Sequence, residues 1–204
     1  MTELRSSYFQ KAPVWEIAKD LIGKQIYTNF DHQLTGGIIT ETEAYNGIYD
    51  KACHAFGGRK TARNQVMYEA GGVSYIYLCY GIHHLLNFVT NRKGIPDAVL
   101  IRAFEPTIGI EYMLRRRNKT RLDSRLSSGP GSVSQALGLN LQHNNLTISK
   151  KNSIWIAEPE REFTNKEIVC CPRIGVDYAE SDALLPYRYY LKDSNYVSVK
   201  AKFK

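Results

Sequence analysis

The spacing of apolar positions changes along the chain, and each change marks an element. Trp15, Ala18, Leu21 and Ile22 recur at three- and four-residue intervals, which predicts a helix over Pro13 to Ile22. Pro13 suits its first turn and Gly23 stops it. Lys24 to Phe30 and Gly37 to Tyr45 read as strands joined by a turn near Asp31-His32. Asn46 to Asn64 is Gly-rich and lacks a period; a loop this long inside a compact domain is usually functional or disordered. Val73 to Tyr80 and His84 to Thr90 read as strands around a tight connection at Gly81, and Asp97 to Ala103 as a further apolar strand. Ile108 to Asn118 is expected to be helical, and Gly129-Pro130-Gly131 precedes a helix through Ala136 and Leu137. Five short strand-like runs follow: Leu146–Ser149, Ile154–Ala157, Ile168–Cys170, Tyr187–Leu191 and Tyr196–Val199. With no repeat, low-complexity tract or linker, the pattern predicts a single α+β domain over residues 1–204. Its core is a mainly antiparallel β-sheet, with flanking helices and a protruding β-hairpin.

Composition narrows this picture. The 204 residues are 43% hydrophobic and 23% charged, which fits a folded domain with a sizeable core. No apolar run approaches the roughly 20 residues of a membrane span, and Met1 to Gln10 lacks a signal-peptide core. The four cysteines, Cys53, Cys79, Cys170 and Cys171, show no C-x-x-C spacing, so a reducing, cytoplasmic setting is expected. The adjacent pairs Cys53-His54 and His83-His84 are poor metal-ligand sets, because neighbours on a strand point to opposite faces.

Net charge is +7, and it is unevenly placed. Residues 1–60 carry seven basic and seven acidic side chains, residues 61–130 ten and five, and residues 131–204 ten and eight. The densest basic run is Arg115-Arg116-Arg117 with Lys119, Arg121 and Arg125. It is either a solvated helix and loop or a phosphate-facing surface.

Four features could carry chemistry. On a strand, Glu41, Glu43 and Tyr45 share one face, which is either an exposed face or a general base beside an aromatic wall. Glu43 lies nearer Tyr45 and the loop, while Glu41 could serve a structural salt bridge. The loop Asp50 to Asn64 holds His54, Gly57, Gly58, Arg59, Lys60 and Arg63, a mixture that can grip phosphates without matching any P-loop. Tyr75, Tyr77 and Tyr80 crowd the next strand. Tyr80 falls at its turn, where burial offers little and a wedge into duplex DNA becomes conceivable. Asn87 and Arg102 sit in apolar strands, where each needs a polar partner; Glu43 is a plausible one for Arg102.

Together these stretches resemble the alkyladenine (3-methyladenine) DNA glycosylase family. The resemblance runs through Ala18 to Lys24, Thr40 to Tyr45, Ala52 to Ala55, Gly58-Arg59 with Arg63-Asn64, and Tyr77 to Gly81. It continues through Leu100 to Pro106, Ser128 to Gly131, Arg173 to Val176 and Pro186 to Tyr190. It implies Glu43 as the general base that activates water, with Arg102 helping to hold that water. Tyr45, His54 and Tyr77 would sandwich a flipped base, Asn87 would disfavour guanine, and Leu100 would line the pocket. Tyr80 would be the wedge, with Ile82, His83, Arg59 and Arg63 near the DNA.

The implied activity is that of a monofunctional base-excision-repair enzyme without a cofactor or metal. It would release alkylated or deaminated purines (3-methyladenine, 7-methylguanine, hypoxanthine, ethenoadenine) and leave an abasic site. The expected partner is damaged double-stranded DNA. A monomer in the cytoplasm, associated with a bacterial nucleoid, is the expected setting. No Lys stands in the matched motif, consistent with a water nucleophile. The alternative is a catalytically inactive DNA- or RNA-binding module of the same fold. Two departures from the family are Leu85, where a small or sulfur residue is common, and a slightly longer loop from Thr90 to Asp97.

Overall fold

The computed structural model describes residues 2–201. Every strand pairing in it is antiparallel. The first helix, α1 (Val14–Asp20), is followed by β1 (Gln25–Phe30) and β2 (Gln33–Tyr45), then β3 (Ser74–Cys79), β4 (His83–Thr90) and β5 (Asp97–Ile108). Two helices come next, α2 (Ile110–Arg116) and α3 (Pro130–Leu137), and then β6 (Ile154–Ala157), β7 (Ile168–Cys171) and β8 (Arg188–Leu191). The strands form one curled sheet in the order β3-β4-β5-β2-β1-β6, with β8 joining β2 beyond the end of β1 and β7 pairing with β8.

The helices cover the sheet through a core of fully buried side chains, among them Phe9, Ile17, Ile39, Leu86, Phe88, Ile101, Phe104 and Leu137. Burying such a side chain is worth about 1.5–3 kcal/mol, so this layer holds the sheet in place. Polar ties fix its position: Thr42 Oγ1 donates to Ala18 O at 2.7 Å, joining β2 to α1.

Strand β2 begins at Gln33, earlier than the expected Gly37. Asp31 and His32 both adopt positive φ, 52° and 58°, so a two-residue turn starts the pairing at Phe30 and Gln33. Gly36 and Gly37 belong to the strand because nothing larger fits. A Cβ on Gly37 would lie 2.0 Å from Glu105 O, and one on Gly36 2.4 Å from the Tyr27 ring. Strand β5 correspondingly runs past Ala103 to Ile108. Helix α1 is shorter than expected, with Pro13 as its cap residue, and it buries Ile17 alongside Ala18.

Two expected strands do not form. Leu146–Ser149 makes only isolated bridges, from Thr147 to Val73 and from Ser149 to Ile154. Tyr196–Val199 lies across the sheet without joining a ladder, because its polar groups bond to side chains: Tyr196 O to Thr40, Ser198 N and Oγ to Glu41, and Val199 O to Arg188. No helix among the described residues is long and apolar enough to cross a membrane.

Candidate active site

The site starts where β2 and β5 lose register. Ile39 faces Phe104 and Glu41 faces Ala103, so Thr40 is an extra residue on β2; Thr42 faces Ile101, so Arg102 is an extra residue on β5. Such bulges bend a strand and re-aim its side chains. Here they bring both Glu41 and Glu43 to full burial, at 0% exposure, which removes the exposed-face reading of that strand. Arg102 answers both carboxylates, with Nε donating to Glu41 Oε1 at 3.0 Å and Nη1 to Glu43 Oε2 at 3.2 Å. Burial pulls the Arg102 guanidinium down, but Glu43 and Glu41 outweigh it and the net shift is upward, so Arg102 stays a cation.

Glu43 is held from three sides. Tyr45 OH and Arg102 Nη1 donate to Oε2, and the Ile174 amide donates to Oε1 at 2.8 Å. Among the described residues these three donors leave Oε1 with an unused lone pair. Burial, then the Glu43 charge, raise the Tyr45 phenol well above its usual range, so it donates rather than ionises.

Above this floor lies a cavity of about 400 Å³, within the size range of small-molecule sites. Tyr45, His54, Tyr77, Asn87, Leu100 and Arg102 line it, with Arg63 and Tyr80 toward the mouth. Glu43 is not itself part of the lining; it sits behind Tyr45 and Arg102. The His54 ring is edge-on to Tyr77, with centroids 4.6 Å apart, and its Nδ1 lies 2.8 Å from Tyr75 OH. Burial, aided by the nearby Arg63 charge, lowers the His54 pKa to about 4, so the imidazole is neutral at pH 7. Asn87 is buried and donates from Nδ2 to Tyr75 O at 3.1 Å, which locks its amide against β3.

The loop carrying His54 has little apolar pattern because polar side chains order it. Asp50 accepts from the Asn46 and Ala52 amides and takes a bidentate contact from Arg173, which is fully buried at its side chain. Asn64 Nδ2 donates to His54 O and Arg59 O.

The β3–β4 hairpin ends in Tyr80-Gly81-Ile82, with Tyr80 92% and Ile82 70% exposed. Tyr80 has φ 51°, a conformation that costs a bulky residue energy and is retained mainly where the side chain has a task. His83 packs beside the start of α3, so close that a Cβ on Gly131 would lie 2.9 Å from its ring. Arg63 is 4.8 Å above the Tyr77 ring and donates to Leu78 O, while Arg59 is exposed on the loop. Ile82, His83 and Arg59 thus stand outside the cavity lining.

The basic run resolves into staples more than a free surface. Arg116 donates to Thr35 Oγ1 and Ala136 O, tying α2 to β2 and α3. Arg117 reaches Leu126 O, Arg125 O and Ser132 Oγ. Lys119 and Arg125 both pair with Asp123.

Sequence reasoning gave no role to Ile174, Arg173 or Tyr178. The first holds Glu43 through its backbone, which no side-chain pattern announces. Arg173 lies 4.9 Å from the Tyr45 ring, behind the cavity wall. Tyr178, 68% exposed, lines the cavity and donates to Ala52 O. The only available signal was the stretch Arg173-Ile174-Gly175-Val176, visible as a motif without an assigned task.

Comparison with known proteins gives the family of the whole chain. The family model described as Methylpurine-DNA glycosylase matches residues 7–195. A Chlamydia felis protein is 45% identical over 189 residues, covering 92% of this chain and 95% of its own. One from Methanocella arvoryzae is 43% identical over 193 residues, covering 95% and 94%. One from Bacillus cereus is 40% identical over 199 residues, covering 94% and 97%. All three carry the name "Putative 3-methyladenine DNA glycosylase". Fold, cavity and matches together define a DNA glycosylase. The chain belongs to the methylpurine-DNA glycosylase family.

Proposed function

We propose that this protein excises alkylated and deaminated purines from double-stranded DNA, the class that includes 3-methyladenine, 7-methylguanine, hypoxanthine and ethenoadenine. The observation that carries the reading is Glu43: a fully buried carboxylate with one unused lone pair, behind the wall of an aromatic cavity. Extruding a nucleotide costs a few kcal/mol, least at damaged or mismatched pairs. Tyr80, already projecting, fills the gap left in the duplex. The flipped purine enters between Tyr45, Tyr77 and neutral His54, whose π faces favour a cationic alkylated base by about 0.5–2 kcal/mol. That term is too small to reject normal bases alone, so the locked Asn87 amide acts against the guanine amino group.

Chemistry follows from the floor. A water at the unused lone pair of Glu43 Oε1, with Arg102 alongside, gives a proton to Glu43 as its oxygen bonds to the sugar C1′ and the N-glycosidic bond breaks. The bonding electrons leave with the purine; a base alkylated at N3 or N7 departs neutral, and an abasic site remains. Arg102 orients the water and sets a positive charge against the Glu43 carboxylate. The protein acts on DNA as a monomer and uses no Schiff base.

A base-release assay on duplexes carrying each lesion, with wild type beside Glu43→Gln, tests this. Wild type should release at least one of these bases, and Glu43→Gln should lose release by 10²-fold or more while still binding the lesion duplex. Near-wild-type excision by the variant would remove Glu43 from its role.

A further inference from the structure

Behind Arg102 the buried ion network continues to Glu41 and Arg188, two groups to which the reaction gives no role. Glu41 is fully buried, and its Oε1 accepts from Arg102 Nε at 3.0 Å, Arg188 Nη1 at 2.8 Å and Ser198 Oγ at 2.8 Å. Its Oε2 accepts from the Ser198 amide at 2.6 Å. Arg188, 3% exposed at its side chain, is fixed in turn by Val199 O and by Cys171 Sγ at 3.3 Å. Arg102 completes its fork on Ser198 Oγ at 3.2 Å. Glu43, Arg102, Glu41 and Arg188 therefore form a row of alternating charge, two carboxylates with two guanidiniums, under the segment that ends in Ser198 and Val199.

A buried pair is costly to form, and breaking it leaves an uncompensated charge. Removing any single member of a row that alternates in this way leaves it with a net charge. Arg102 has no ladder partner on β2, because it is the bulged residue of β5; Glu41 and Ser198, not the sheet, fix where its fork points.

We propose that Glu41, locked by Arg188 and Ser198, is a positioning residue that aims the Arg102 guanidinium at Glu43 and balances its charge. This rests on the reading of Glu43 as the general base. Charged and titratable groups face the row from every packed element: Tyr45 from β2, Arg102 from β5, Cys171 from β7, Arg173 from the loop beyond it and Arg188 from β8. Removing one member changes the field at Glu43 with a sign fixed by the member removed. Without Glu41, two guanidiniums face a single carboxylate, ionised Glu43 is favoured, and the acid limb of the pH–rate profile moves down. Without Arg188 the excess is negative, and the limb moves up.

The experiment is single-turnover base release against pH for wild type, Glu41→Gln, Arg188→Gln, Arg188→Lys and the double variant Glu41→Gln/Arg188→Gln. Glu43→Gln serves as control, and binding to the lesion duplex reports folding. The single variants should shift the acid limb in opposite directions by about one pH unit. The double variant should return it near wild type, and Arg188→Lys should lower the rate without moving it. Loss of rate with an unmoved limb, or shifts of one sign, would overturn the proposal. Should Arg188→Gln fail to accumulate, Glu41→Gln decides alone: a downward shift supports the proposal and an unmoved limb overturns it. An active Glu43→Gln would instead sink the underlying reading of Glu43.

Discussion

Two residues show how the site trades stability against readiness. Tyr80 holds a left-handed conformation at the hairpin tip with almost no burial in return. Tyr80→Gly should therefore raise stability in urea unfolding by about 1 kcal/mol, the relieved strain exceeding glycine's greater chain entropy. The same variant should lose excision on well-paired lesions far more than on single strands; equal loss on both would deny Tyr80 the wedge role. His54 shows a second trade. Its pKa, about 4 when folded against 6.5 in a free imidazole, means the unfolded chain binds the proton first. Its contribution to stability is full above pH 6.5 and declines as pH falls toward 4. Wild type should lose melting temperature over that window more steeply than His54→Gln, and parallel curves would show that His54 is not buried as a neutral ring. Both residues could be singled out from the sequence, Tyr80 by a bulky aromatic at a turn and His54 within a polar loop. Neither the strain nor the lowered pKa was legible, since both arise from what packs around them.

At the scale of elements, the sequence announces strands by apolar runs and fails where polar groups do the ordering. The β3–β4 hairpin and β5 were legible because apolar runs such as Tyr75 to Cys79, Leu85-Leu86 with Phe88-Val89, and Ala98 to Ile101 mark them. The bulges that aim Arg102 were not, for a bulge depends on the partner strand's register. The segment Tyr196–Val199 looks like a strand by composition, yet its backbone serves Glu41 and Arg188, a task invisible without the opposing charges. The α2 region gives a similar lesson. Its arginines read equally well as phosphate contacts, but Arg117 binds two carbonyls and two side chains of its own chain. Arg117→Ala should destabilise the protein by about 1–3 kcal/mol, because those carbonyls lose charged donors. Chemical denaturation measures this, and a variant as stable as wild type would mean that Arg117 is free for another role.

For the whole molecule, the +7 charge invites a picture of a basic surface laid along DNA, and the structure narrows it. Of the ten basic residues in 61–130, Arg102 is buried with carboxylates, Arg116 and Arg117 are staples, and Lys93, Lys119 and Arg125 pair with acidic neighbours. Of the other four, Arg63, Arg92, Arg115 and Arg121, Arg63 lines the cavity, and Arg59, just before this stretch, is exposed on the same loop. Affinity for DNA should then depend on few phosphate contacts and owe much to the inserted Tyr80 and the enclosed base. Since log K falls with log salt at about −0.9 per neutralised phosphate, Arg59→Ala should make the slope shallower by about one. Arg121→Ala, at an exposed position on the basic run beyond α2, should leave it unchanged. Titration of a lesion duplex with each variant across a range of salt concentrations decides the matter. If Arg121→Ala flattens the slope as much as Arg59→Ala, the basic run faces phosphate and the footprint extends beyond the cavity mouth.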